Sequence, residues 1–398
     1  MRIVLTALPA YSHLVPLVLP VADLARRAGH EVAVATGPEA AGHVEEAGLR
    51  ALVTPNAPAI STVMRDPALS GMARPEEIPD LGSVTSDLPP EVFARVFAEV
   101  LGGRVADDLL DLLTGWKPDL LLRESTEFGG YLAAERLGIP HGVIDIAPMS
   151  PQAHPVLLDR LNAGRRRLGL PAVDDPWHPL RGFRAAVVPE EFYPPEARLA
   201  NARYYRPPAP AAGEPLDPAI AGLPGDRPLV LASLGSTAPQ LLGERPALLD
   251  TIIAALADLP VTGVVALGAG RDPRDWTGPR PGNVHLTSFV QQRALLPACD
   301  VFVTHGGFNG VRESLAAGTP MVVLPIFAEQ PANADRVAAL GAGVRLNLEQ
   351  ATPEALREAV RRVCTDPAFR SRAAALQRAE LALPPLDRVV EDAPALLG

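Results

Sequence analysis

An apolar run at 301–304 breaks at His305-Gly306-Gly307-Phe308-Asn309 and gives way at once to a helical pattern over 311–317. A strand that hands over to a helix through paired glycines constrains the fold strongly, because it is the central piece of a βαβ unit and implies a parallel sheet. Gly318 supplies the helix stop, and Pro320 keeps the helix from resuming. Two glycines allow a phosphate to approach the backbone closely, and the first helical N–H groups present positive potential to an anion. His305 adds a donor at the same point, and Glu313 lies one turn beyond Asn309 on the same helix face. Donors for phosphate oxygens and a carboxylate for sugar hydroxyls suit a diphosphate with a ribose attached. The same segment also reads as an ordinary strand-to-helix turn, so its context matters.

That context is a regular alternation of strand and helix patterns. Strands are expected at 2–8, 31–35, 50–53, 118–123 and 142–146, then at 229–233, 263–267, 284–289, 301–304 and 321–325. Helices are expected at 14–28, broken by Pro16 and Pro20, and at 91–114, 128–137, 246–257, 352–364 and 368–381. Residues 54–90 carry little periodicity and read as a long loop with short helices, of the kind that often serves function. A chain of 398 residues suits two domains. The Pro-, Ala- and Gly-rich stretch 207–228 reads as their linker, leaving a first domain at 1–206 and a second at 229–383.

Composition narrows the function. With 47% hydrophobic and 21% charged residues the chain is a packed globular protein. A formal charge of −10 argues against nucleic acid or an anionic membrane surface as partner. Cys299 and Cys364 have neither disulfide-framework nor metal-ligand spacing and read as reduced, buried thiols. No cleavable signal or membrane-length apolar run is visible, so a cytoplasmic enzyme without membrane insertion is expected. Asp107-Asp108-Leu109-Leu110-Asp111 falls in an amphipathic helix and reads as a solvated face rather than a metal site. Residues 8–16 hold no glycine, which removes the support for a dinucleotide-dependent dehydrogenase.

His13 lies just past the first strand, where open parallel sheets carry their functional crevice. Near a helix N-terminus its imidazolium form is disfavoured, which suits a base near neutral pH; a plain loop histidine is the alternative. Glu124 follows the strand at 118–123, with Glu127 close behind, and either is a candidate to orient the histidine. A carboxylate complementing a helix N-terminus is the alternative role.

The motif at 305–309, the preceding Phe289-Val290-Gln291-Gln292 and the following Glu329-Gln330-Pro331-Ala332-Asn333 occur in an order that resembles the donor-binding half of one family. These are the nucleotide-sugar-dependent glycosyltransferases of natural-product, antibiotic-type biosynthesis, related to plant and animal UDP-glycosyltransferases. The resemblance covers nearly the whole chain and is most specific at 289–334. It implies an α/β GT-B fold, two Rossmann-like doubly wound parallel-sheet domains facing a cleft, the first for acceptor and the second for donor. It also implies that 384–398 crosses back to the first domain, although three prolines and weak periodicity there argue the other way.

By the same resemblance, His13 is the general base and Glu124 its partner, where many relatives have aspartate. Phe289 would stack on the base, Val290 offer backbone bonds and Gln292 lie close to the nucleoside. His305, Gly307 and Asn309 would hold the diphosphate and Glu313 the ribose. Ser236 or Thr237 would supply a hydroxyl that Gly310 lacks. Glu329 and Gln330 would read sugar hydroxyls, implying a donor sugar that keeps several of them. The reaction implied is inverting transfer of a hexose from a UDP- or TDP-sugar to a hydroxyl of a small hydrophobic acceptor, with no metal and no cofactor beyond the donor. Phe93, Phe97 and Met149 are candidates to line the acceptor site, or else belong to the core. A nucleotide-sugar epimerase on the same plan is disfavoured by the His13 loop and the Glu329-Gln330 pair. A non-catalytic partner of another glycosyltransferase is disfavoured because the donor motifs are intact.

Overall fold

The computed structural model describes residues 1–71, 88–207, 215–235, 247–268 and 270–397. Their contacts divide into two units, one of 1–71, 88–207 and 383–397, the other of the described parts of 209–382.

The first unit carries a seven-stranded sheet of β1 (Arg2–Thr6), β2 (Glu31–Thr36), β3 (Arg50–Val53), β4 (Leu120–Glu124), β5 (His141–Ile144), β6 (Phe183–Ala186) and β7 (Ala202–Tyr204). All neighbours pair in parallel, in the order β3-β2-β1-β4-β5-β6-β7. β1 and β4 are almost wholly buried, as strands covered by helices on both faces must be. The helix Gly102–Trp116 packs Val105, Leu109, Leu113 and Trp116 with Val4 and Leu121 of the sheet. A second cluster joins Phe93, Phe97 and Leu101 to Phe128, Tyr131, Leu157 and Leu161.

The second unit repeats the plan with β8 (Leu229–Ser233), β9 (Thr262–Ala266), β10 (Val284–Thr287), β11 (Val301–Thr304), β12 (Met321–Val323) and β13 (Gly343–Arg345). These six strands are also parallel, in the order β10-β9-β8-β11-β12-β13. In each sheet the strand order reverses once, between β1 and β4 and between β8 and β11. At such a reversal the loops leaving two neighbouring strands diverge and open a binding position at their carboxyl ends.

Several elements differ from the sequence pattern. The run expected as one helix at 91–114 is helical throughout but has a π-helical stretch, Ala94–Leu101, between Pro90–Phe93 and Gly102–Trp116. Asp108 is not solvated: it is buried, and its carboxylate accepts from the Asn56 backbone N–H at 2.8 Å and side-chain amide at 2.6 Å. The strands β6, β7 and β13 and the helix Pro155–Arg167 were not marked by the periodicity. β6 contains Arg184, a charge that reads as surface, yet the residue is buried and its Nε donates to Asp145 at 2.9 Å. Cys299 is buried and Cys364 partly so; both thiols are free, and burial raises them to about 12 and about 11.

The C-terminal segment packs within the first unit. Arg206 and Pro385 form a parallel bridge, and the helix Val389–Leu397 follows. Tyr205 donates its hydroxyl to Asp392 at 2.8 Å, and Val389 and Ala393 are buried. Among the described residues no helix is long and apolar enough to cross a membrane.

Candidate active site

In the first unit the site is built at the carboxyl ends of β1 and β4, which pair with Thr6 opposite Arg123. After β1 the chain turns through the short helix Tyr11–Leu14, which carries His13. β4 ends in Glu124 itself. Nδ1 of His13 lies 2.9 Å from Oε1 of Glu124, with the carboxylate fully buried and the imidazole 17% exposed. Facing a carboxylate that accepts, Nδ1 is the ring nitrogen that donates, and the ring's basic lone pair then sits on Nε2.

Thr126 completes this arrangement. Its backbone N–H donates to Oε2 of Glu124 at 2.6 Å, and its hydroxyl lies 2.9 Å from each carboxylate oxygen. The same hydroxyl is 3.2 Å from Nδ1 of His13. Glu127 points elsewhere. It is fully buried and accepts from the Thr6 hydroxyl and from the Gly130 N–H at 2.9 Å. Burial raises its carboxyl above the usual range, opposed by those hydrogen bonds and by Arg123. The Arg123 guanidinium, also buried, donates to the carbonyls of Glu124, Ser125 and Glu127 at 3.0–3.2 Å, and to that of Pro179. It therefore fixes the backbone of the loop that presents Glu124. The two glutamates left open by the sequence thus separate: Glu124 meets the histidine, and Glu127 ties the loop to β1.

In the second unit the residues at 305–313 sit where β11 runs into the helix Phe308–Ala317. Gly306 has φ +84°, a left-handed turn that other residues adopt only with strain. A Cβ on Gly307 would lie 2.6 Å from Nε2 of His305, and one on Gly235, at the end of β8, 2.7 Å from its Cε1. The imidazole is thus held between two backbone segments that must be bare. Its Nδ1 is buried with no hydrogen-bond partner among the described residues, and burial lowers the ring to about 4. It is a neutral group at physiological pH.

Around it, Oδ1 of Asn309 accepts from Nε and Nη2 of Arg312 at 3.3 and 3.2 Å. The Gln292 side-chain amide donates to Glu313 at 2.8 Å, so these two candidates are brought together. The buried Asn333 donates to the Gly306 carbonyl at 2.9 Å and braces the turn. Phe289 is 66% exposed, an unusual position for a large ring, and its carbonyl accepts from the Thr287 hydroxyl at 2.7 Å; Val290 beside it is buried. Glu329 is half-buried and precedes the helix Gln330–Ala339, next to Ala328 at φ +57°. Gln330 is buried, and its side-chain carbonyl accepts from the N–H groups of Ile326 and Phe327 at 2.9 and 3.1 Å. Its oxygen is thereby committed to the turn, which leaves its amide NH2 as the group able to meet a sugar hydroxyl.

Phe93 and Phe97 are 3% and 9% exposed and pack ring against ring at 4.8 Å within the core, with Phe128 edge-on to Phe93. Met149 is half-buried in the turn after β5. Ser236 and Thr237 lie outside the described residues. Thr126, Arg312 and Asn333 escaped the sequence reading. A hydroxyl two residues beyond a strand-end carboxylate was the available sign for Thr126. Arg312 three residues after Asn309 and Asn333 three after Gln330 share helix faces with residues already singled out.

Comparison with known proteins identifies the family. A family model described as UDP-glucoronosyl and UDP-glucosyl transferase matches residues 219–391. One for the N-terminal domain of Erythromycin biosynthesis protein CIII-like matches residues 24–148. The chain is 31% identical to 4'-demethylrebeccamycin synthase of Lentzea aerocolonigenes, with 94% of each covered. It is 32% identical to L-demethylnoviosyl transferase of Streptomyces niveus, covering 87% of this chain and 85% of that one. Among solved structures, the glycosyltransferase SsfS6 of Streptomyces sp. SF2575, complexed with thymidine diphosphate, matches with TM-score 0.71 at 27% identity over 98% of each chain. The chain belongs to the natural-product glycosyltransferases with the GT-B fold, relatives of the UDP-glucuronosyl and UDP-glucosyl transferases.

Proposed function

We propose that this glycosyltransferase is inverting and metal-independent, and moves a hexose from a thymidine diphosphate sugar to a hydroxyl of a small hydrophobic natural product. The observation that carries the reading is the 2.9 Å contact between His13 and the buried Glu124. Nε2 of His13 takes the proton from the acceptor hydroxyl as the oxygen bonds to the anomeric carbon. The bond from that carbon to the diphosphate oxygen breaks, and the electron pair leaves with the nucleoside diphosphate from the opposite face. The configuration therefore inverts. Glu124 stabilises the imidazolium as it forms.

The first unit serves the acceptor and the second the donor. At the donor, the Gly307 N–H, His305 and the Asn309 amide meet the diphosphate, in the manner of an anion at a helix N-terminus. These groups carry the charge of the leaving diphosphate. Glu313, held by Gln292, accepts from the ribose; Phe289 supplies a face for the base; Glu329 and Gln330 contact the sugar. Support for thymidine diphosphate comes from its presence in the SsfS6 complex. The exposed Tyr11 ring, two residues before His13, favours an apolar acceptor with rings. The cytoplasm is the compartment proposed, consistent with two free thiols.

The test is turnover with TDP-glucose and UDP-glucose against a panel of phenolic and polyketide acceptors, with EDTA present. An α-linked donor should yield a β-glycoside and free nucleotide, with the thymidine donor preferred. A product of retained configuration, or activity abolished by EDTA and restored by a divalent ion, would refute the mechanism.

A further inference from the structure

We infer that Thr126 is a positioning residue for the His13–Glu124 pair, an inference that rests on His13 being the base. A glutamate at the end of β4 reaches the imidazole through one more rotatable bond than an aspartate, so its carboxylate has more orientations to lose. Thr126 removes that freedom from both sides. Its backbone N–H holds Oε2 at 2.6 Å, and its hydroxyl bridges Oε1 and Oε2 at 2.9 Å each. Oε1 is thereby directed at Nδ1, 2.9 Å away.

The threonine is itself anchored. It is 3% exposed, and the carbonyls of Glu124, Ser125 and Glu127 on either side of it all accept from the buried Arg123 guanidinium. β-Branching restricts its χ1, so the hydroxyl has few places to go. With its proton on the carboxylate, that hydroxyl turns a lone pair toward Nδ1–H at 3.2 Å. The imidazole N–H then has two acceptors, Glu124 and Thr126, and both favour the tautomer that leaves Nε2 basic. Losing the hydroxyl leaves the carboxylate one backbone donor and lets it swing away from the ring.

The experiment is a double-mutant cycle in the full chain, read by kcat, donor KM and calorimetric affinity for TDP. Thr126→Val should lower kcat by about 10-fold, the scale of one hydrogen bond to a charged group, with donor KM and TDP affinity changed less than about 2-fold. Thr126→Ser, which keeps the hydroxyl, should restore most of the rate. In a Glu124→Gln background Thr126→Val should add less than about 2-fold, because the two residues act through one contact. The inference is overturned if Thr126→Val keeps wild-type kcat, if serine does not rescue, or if the valine costs the same factor in both backgrounds. Should the valine variant fail to fold, Thr126→Ala takes its place with the same expectations. A His13→Ala enzyme that still turns over would instead remove the base assignment, a failure separate from any of these.

Discussion

His305 combines a buried Nδ1, without a partner among the described residues, with a ring held to about 4 by burial. The unfolded chain would titrate this group near its ordinary value of 6.5. Between pH 6.5 and about 4 the unfolded state therefore binds a proton that the folded state refuses, so stability rises with pH across that window and falls as the pH drops through it. His178, lowered to about 4 mainly by burial, adds to the same slope. Thermal melts of the ligand-free protein between pH 4.5 and 6.5 should show this fall, and His305→Asn should flatten it; an unchanged slope would mean that the ring is not kept neutral by its surroundings. Gly307→Ala tests the space beside the ring. A Cβ 2.6 Å from Nε2 has to push the imidazole or the turn, and TDP affinity should drop at least about 10-fold, the scale of one charge-assisted hydrogen bond. At this scale the residues legible in the sequence were those at strand ends, because a histidine or carboxylate leaving a buried strand stands where parallel sheets bind their ligands. Arg312 and Asn333 were hidden because a charged or amide residue inside a helix pattern usually faces water. Here Arg312 is buried beneath Asn309, and Asn333 reaches the Gly306 carbonyl.

At the scale of elements, the alternation of strand and helix patterns was readable wherever the strands were apolar. It failed where buried charge interrupts them. β6 holds Arg184 against Asp145, and the helix Pro155–Arg167 turns Arg165 inward to Tyr131 at 2.7 Å and Glu135 at 2.9 Å. Glu135 also accepts from Arg181, and contacts His141 at 3.0 Å. Hydrogen bonds from His141, Arg165 and Arg181 outweigh the effect of its burial and hold its carboxyl well below the usual range. This cluster ties the helix Gly129–Leu137 to β5 and to Pro155–Arg167. Removing one charge from a buried cluster leaves the others uncompensated, so Glu135→Gln should destabilise the first unit by about 3 kcal/mol. Denaturant melts would measure this, with turnover per folded molecule unchanged. A loss under about 1 kcal/mol would class the cluster with weak surface pairs.

At the scale of the molecule, the proposed function draws on both units at the same structural position. The reversal between β1 and β4 presents His13 and Glu124; that between β8 and β11 presents His305 and the turn beyond it. A ligand bound to the folded protein alone raises stability by mass action, about 2.7 kcal/mol at a hundred times its Kd. Saturating TDP should therefore raise the melting temperature, and this gain should survive His13→Ala. The division of labour is tested most directly by measuring kcat and the calorimetric TDP affinity together in His13→Ala and Glu313→Ala. The account predicts that His13→Ala loses at least about 100-fold in kcat with TDP affinity unchanged, as expected of a base that acts in the transition state. Glu313→Ala should weaken TDP about 10-fold, the effect of removing a charged hydrogen-bond acceptor. Loss of TDP binding in His13→Ala, or turnover preserved in that variant, would contradict it.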